Sequence, residues 1–157
     1  MKTIRSLLPI FFYFLSLPVF AQTSDLAGLQ SKLTVDCKSI RGHATRIVAE
    51  ATTQEFNHDV AAAHLNQVDK YQAAMEVDLK ATSDLLNKEQ REKVNSEMKF
   101  LLQTCKRVGE GVRALQKEFD KKNPDISAVR QTAAEIRNHM TQGAEVHERM
   151  KKKLGIL

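Results

Sequence analysis

The apolar residues between Val94 and Phe119 recur at alternating steps of four and three residues. Such steps place side chains on one face of an α-helix, because one turn contains about 3.6 residues. The positions that follow this rule are Val94, Met98, Leu101, Cys105, Val108, Val112, Leu115 and Phe119. A long helix with one apolar face owes most of its stability to packing of that face against other elements. The chain must therefore contain other helices that cover it.

Three other stretches supply these helices. Residues 26–51 and 129–154 carry apolar stripes of the same kind, and a further helix is predicted from Phe56 to about Thr82. The predicted buried face of this further helix contains Val60, His64, Val68, Tyr71 and Met75. No stretch alternates apolar and polar residues with a period of two, so no β-sheet is expected. Four helices of similar length with short connections favour an all-α, antiparallel up-down-up-down four-helix bundle. The alternative is a three-helix arrangement in which the first two helices are continuous.

Residues that cap helix amino termini stand between the stripes. Two pairs have the spacing of a capping box, namely Thr52 with Glu55 before the second helix and Asn87 with Gln90 before the third. Asn57 is an alternative cap for the second helix. Asn123 followed by Pro124 predicts the start of the last helix, because proline is favoured at the first helical position.

The first 21 residues predict a secretory signal peptide. Lys2 and Arg5 form a basic start, residues 7–20 form an apolar stretch short for a bilayer span, and Ala21 ends a small-residue cleavage site. Cleavage there leaves residues 22–157 as a single helical-bundle domain in the periplasm or outside the cell. No later apolar run has the length of a membrane span, so no transmembrane segment is expected in the mature chain. The alternative is an uncleaved anchor.

The charge pattern argues against nucleic-acid binding. The formal charge of +5 falls to +3 when the leader, with Lys2 and Arg5 and no acidic residue, is removed. The remaining basic residues are interleaved with acidic ones, as in residues 87–97, which is typical of a solvated helix face. Few aromatic residues lie among them to stack on bases.

Cys37 and Cys105 are the only cysteines of the chain. If the helices fold back near residues 53, 87 and 123, both cysteines lie at nearly the same height in the bundle. Both also stand on apolar stripes of a chain predicted to be exported. A disulfide between Cys37 and Cys105 is therefore predicted.

The same reflection places His43, His64 and His139 in one layer of the bundle. Glu110 and Glu135 stand near this height. Imidazole and carboxylate groups from different helices are the usual metal and haem ligands in helical bundles. The layer is therefore a candidate transition-metal site. The alternative for His64 is a core histidine that is hydrogen-bonded to a glutamate or a backbone carbonyl.

A second candidate cofactor layer contains Met75, Met98 and His147, and thioether and imidazole ligands suit copper. Methionines at helical spacing also serve as core residues. The segment from "ISAVRQTAAEIRNHM" to "VHERMKK" is similar to the last helix of soluble b-type four-helix cytochromes, and this resemblance implies a haem-ligating role for His147. Those proteins pair that histidine with a methionine of the first helix, where this chain has none.

No catalytic motif was found, so an enzyme is not expected. The single Glu-x-x-His, at residues 55–58, is one half of a di-iron pattern.

Residues 85–94, "LLNKEQREKV", are similar to the leucine-polar-x-Glu-Gln motif of periplasmic Spy-type helical chaperones. We predict an exported protein-interaction module of the inhibitor, immunity or chaperone type, whose partner is another exported protein or a second copy. The alternative is a periplasmic metal or haem carrier.

Overall fold

Four helices make up the part of the chain that the structure describes. The structure is a computed structural model that describes residues 17–156, with side chains described from Asp25 onward. The helices are α1 (Leu17–Glu50), α2 (His58–Leu85), α3 (Lys88–Phe119) and α4 (Ile126–Leu154). No strand occurs within this range. The predicted all-α fold with four helices is confirmed, and the three-helix alternative is wrong because α1 and α2 are separate.

Each helix packs against two neighbours. α1 contacts α2 and α4, and α3 contacts the same two helices, so α1 lies diagonally opposite α3. The connections are residues 51–57, 86–87 and 120–125. Connections this short cannot run the length of the bundle, so consecutive helices are antiparallel.

The core is formed largely by the predicted stripes. All seven stripe residues of α3 from Val94 to Leu115 are buried, and Phe119 is partly buried against the core. On α2 the buried face is rotated from the predicted one, since Ala61 and Leu65 are buried whereas Val60 is 38% exposed. His64 is therefore on the flank of α2, outside the core.

The capping residues were predicted with mixed success. Asn87 and Gln90 form the capping box of α3, each side chain accepting from the other residue's backbone N–H at 2.9 and 3.0 Å. This box coincides with the segment that resembles the chaperone motif. The cap of α2 is Asn57, which accepts from Val60 N at 3.1 Å, so the alternative was right and the Thr52 box was wrong.

The start of α4 also differs from the prediction. Its N-cap is Asp125, whose carboxylate accepts from the N–H groups of Ser127 and Ala128 at 2.9 and 3.1 Å. A carboxylate here accepts two otherwise free donors and faces the positive end of the helix dipole. Asn123 and Pro124 consequently belong to the connection.

The predicted disulfide between Cys37 and Cys105 is wrong. Both are free, buried thiols on the diagonal helices α1 and α3. The Cys105 thiol instead donates to the Gln72 backbone oxygen of α2 at 3.7 Å. A disulfide requires Cα atoms within about 7 Å, a distance favoured by neighbouring rather than diagonal helices. Burial, with Asp36 nearby, raises the pKa of the Cys37 thiol to about 12, so this thiol stays protonated.

The predicted signal peptide falls mainly outside the described residues, which begin at residue 17, the first residue of α1. Within the described range, no helix combines the length and the apolar character needed to cross a membrane.

The α3 capping box gives a stability prediction. We expect Asn87→Ala to lower the free energy of unfolding by about 1 kcal/mol, because it leaves the Gln90 N–H without its partner. Urea denaturation followed by circular dichroism measures the change. Asn66→Ala, at an exposed position inside α2, is the matched control and should leave stability unchanged or slightly raised. Equal effects of the two substitutions would contradict a capping role for Asn87.

Candidate functional site

The residue that precedes each core position points to one consistent side of its helix, about 100° from the core direction. We call this side the flank of the helix. In an antiparallel four-helix bundle the flanks of neighbouring helices face each other at two of the four helix–helix interfaces. Here they meet between α1 and α2, where Asp36 and Asp78 lie, and between α3 and α4, where His139 lies. We call these interfaces the α1/α2 seam and the α3/α4 seam.

The α1/α2 seam contains an open groove of about 810 Å³. Its lining residues are Gly28, Ser31, Lys32, Val35, Asp36, Ala73, Ala74, Val77 and Asp78. Val35 and Val77 are 54% and 66% exposed, whereas several neighbours in the groove have little or no side chain. The groove is therefore shallow, partly apolar and accessible to a partner.

Asp36 is the most unusual residue of this groove. It is only 6% exposed, and its Oδ2 atom is buried without a hydrogen-bond partner. Burial and the Asp78 carboxylate raise the pKa of Asp36 to about 6, while Lys32 opposes this shift. A buried carboxylate without donors is costly, so this group is poised to accept a donor or a cation.

His43 and His64 form a pair farther along the same seam. Their Nδ1 atoms are 3.0 Å apart and their ring centroids 5.2 Å apart. Tyr71 stacks on the His43 ring at 6.1 Å with an interplanar angle of 18°. Burial, and then the neighbouring His64 and Arg46, lower the pKa of His43, which favours its neutral form. Both histidines are half-buried, so the pair remains open to solvent.

His139 does not join this pair. It lies in the α3/α4 seam beside Glu110 and Glu135, across the bundle from the α1/α2 seam. Each of the three histidines directly precedes a core residue and therefore lies on the flank of its helix. Flanks meet only between two neighbouring helices, so flank residues of three helices cannot form one site. In a bundle of the opposite handedness His43 would face α4 and His64 would face α3. Neither arrangement brings all three predicted ligands together.

His147 lies inside the core and makes a polar chain across three helices. Its Nε2–H donates to Gln30 Oε1 at 2.9 Å, and the Gln30 amide donates to the Thr82 hydroxyl at 3.1 Å. All three residues are at most 2% exposed. Burial lowers the pKa of His147 to about 4, with a smaller contribution from Lys151, so the ring is neutral at pH 7.

The copper and haem interpretations of His147 gain no support from these contacts. Its Nε2 is occupied by Gln30, and a metal at that atom would have to displace a buried hydrogen bond. Met75 and Met98 are buried members of the apolar core on α2 and α3. They pack as apolar residues, in agreement with the alternative considered for methionines at helical spacing.

Sequence reasoning missed two of the most informative residues, Gln30 and Asp36. Gln30 stands four residues after Leu26 and three before Leu33, so its spacing already placed it on the apolar stripe. Asp36 directly precedes the stripe residue Cys37, and this flank position was the available signal. Neither residue matches a known motif, and both were overlooked for that reason.

Among the described residues, no group of three or more histidine, cysteine, aspartate or glutamate side chains is arranged to hold a metal ion. No protein-family model matches the chain, and neither the curated proteins nor the solved structures include a match. The candidate sites are therefore the groove with Asp36 and the pair of His43 and His64, both in the α1/α2 seam.

The buried histidine gives a pH prediction. Between about pH 6.5 and pH 4 the unfolded chain binds a proton at residue 147 that the folded chain does not, so stability should fall as the pH falls. The loss is at most about 3 kcal/mol. His147→Gln does not titrate and should lack this contribution, as measured by urea denaturation at several pH values.

His139→Gln, which removes a half-buried histidine outside the core, is the control for this measurement. The raised pKa of Asp36 acts in the opposite direction over much of this range, because the folded chain then binds the additional proton. That contribution is common to all three proteins and cancels in the comparison. An unchanged pH dependence in His147→Gln would contradict the assignment.

Proposed function

We propose that this chain is an exported, non-enzymatic interaction module that binds a helical segment of another protein in the groove of the α1/α2 seam. The observation that carries the proposal is the Asp36 carboxylate, which is buried and lacks a partner for Oδ2 within an accessible groove. A polar group that has no hydrogen-bond or ionic partner in the folded chain can gain one when another molecule binds.

The shape of the groove favours a helix as the bound element. Two packed helices leave a channel into which the apolar face of a third helix fits. Gly28, Ala73 and Ala74 leave the floor of this channel low, and a side-chain carbon added at Gly28 would meet no atom within 4 Å. Val35 and Val77 provide apolar contacts along the channel.

The charges of the groove favour a basic residue on that helix. Asp36 and Asp78 face the groove with Lys32 as the single basic lining residue. A lysine or arginine of the partner, placed in the groove beside the Asp36 and Asp78 carboxylates, would reduce the repulsion between them. We therefore infer a partner helix with an apolar stripe that carries one basic side chain.

A second copy of the chain fits this groove less well. Two identical shallow grooves brought face to face would leave space between them, whereas a dimer interface requires close packing. A separate protein can present a convex helix to the groove. We therefore infer that the occupant of the groove is another protein.

Peptide display tests the proposal without knowledge of the natural partner. Helical peptides of about 18 residues, selected on the immobilised protein, should share an apolar stripe at helical spacing with one lysine or arginine. Fluorescence anisotropy then measures their affinities. Val77→Lys should weaken binding about tenfold or more by placing a like charge against the basic residue.

The variant Val60→Lys is the matched control, because Val60 is also an exposed valine of α2 but lies outside the groove. It should leave the affinity unchanged, and Asp36→Asn should remove the preference for a basic residue over norleucine. Peptides that bind Val77→Lys as well as they bind the wild type would contradict the site. A dimer in sedimentation experiments that is broken by Val77→Lys would identify a second copy as the occupant instead.

The export component of the proposal rests on the leader sequence alone. We expect a bacterial host that expresses residues 1–157 to place the protein outside the cytoplasm with Gln22 as the first residue. Fractionation with amino-terminal sequencing measures both properties. Recovery of a chain that begins at Met1 in the cytoplasm would contradict export.

A further inference from the structure

The His43 and His64 pair has a geometry that the bundle does not require. The two Nδ1 atoms approach to 3.0 Å from different helices, at a half-buried position of the α1/α2 seam. One imidazole must donate and the other accept, since two neutral rings share a single hydrogen at this contact. Metal sites in helical bundles are built from side chains on facing helices, histidine among them.

We propose that His43 and His64 bind one Cu²⁺ ion through their Nδ1 atoms. The proposal is independent of the groove, because Asp36 lies two helical turns, or about 10 Å, from His43 along α1. It retains two of the three histidines expected from the sequence and excludes His139.

The number and type of ligands favour copper over zinc. Zinc sites in proteins usually have at least three protein ligands, whereas the pair offers two imidazoles. Cu²⁺ binds nitrogen ligands most strongly among the first-row divalent ions, and two imidazoles can occupy neighbouring positions of its tetragonal geometry. Water would complete the coordination.

The surroundings of the pair suit a metal that replaces a hydrogen bond. Ligation at both Nδ1 atoms moves the shared hydrogen to Nε2 of its own ring, so both imidazoles stay neutral. To ligate the ion, each ring must turn about its last side-chain torsion, which has broad minima in histidine, until its Nδ1 points away from the hydrogen-bond axis and toward the ion. Stacking on Tyr71 limits how far the His43 ring turns. Arg46 lies near His43, and its charge disfavours a dication there, so coordinate bonds rather than charge attraction must supply the affinity.

Titration of the purified protein with CuSO₄ tests this site. Calorimetry should show one equivalent bound, with a weaker response to ZnSO₄, and electron paramagnetic resonance should show coupling to two imidazole nitrogens. His43→Gln and His64→Gln should each lower the affinity about tenfold or more, because loss of a ligand costs at least as much as loss of a residue that orients one.

His139→Gln is the matched control, since it removes a half-buried histidine of the other seam and should leave the affinity unchanged. Circular dichroism of each variant shows that the helices remain folded. Unchanged copper affinity in His64→Gln, or no binding by the wild type, would overturn the proposal. An equal loss in His139→Gln would also overturn it and would restore the site of three histidines.

Discussion

The register of the apolar stripes controls the chemistry of this protein. Each helix must turn its stripe toward the bundle axis to bury it, and that rotation fixes where every other side chain points. Residues that directly precede a stripe position meet across the α1/α2 seam and the α3/α4 seam. Asp36, His43, His64 and Asp78 share this property and therefore share one seam. A sequence shift of one residue would move all of them to a different interface.

A second consequence of the same register is the polar chain within the core. His147 and Gln30 stand on stripe positions, so packing forces them into the interior, where each must find a partner. They bind each other, and Thr82 completes the chain. Because these contacts join α1, α2 and α4, they favour one alignment of the three helices over alternatives with only apolar contacts. Burial also lowers the pKa of His147, so protonation of this residue at low pH opposes the alignment of the three helices.

The fold was predictable because helix periods and capping residues are local signals. The stripe of α3 and the Asn87 capping box were read correctly from spacing alone. The errors concern properties that depend on how a helix packs against the neighbouring helices. The stripe of α2 was placed too close to Val60, and this moved His64 from the flank to the core in the prediction.

The predicted sites failed for a related reason. Height along the bundle was estimated well enough to match His43 with His64, but height does not say which helices are adjacent. Cys37 and Cys105 were matched in height although their helices are diagonal. The histidine layer could have been tested from the sequence, because flank residues of α1, α2 and α4 cannot converge in either handedness. The direction in which the bundle turns is the information that the stripes lack.

A buried carboxylate has opposite surroundings in the two seams, and this contrast supports a binding role for the α1/α2 seam. In the α3/α4 seam Glu97 is 7% exposed and pairs with Lys153 of the neighbouring helix at 2.7 Å, a contact that lowers its pKa. In the α1/α2 seam Asp36 is equally buried, but the side chain opposite is Asp78, and burial together with this second carboxylate raises the pKa of Asp36. A lysine at position 78 would resolve this conflict in the same way as Lys153 does. Two facing carboxylates beside an open apolar groove do not favour folding, and a cation from outside the chain would relieve their repulsion, which is why we propose the binding site here.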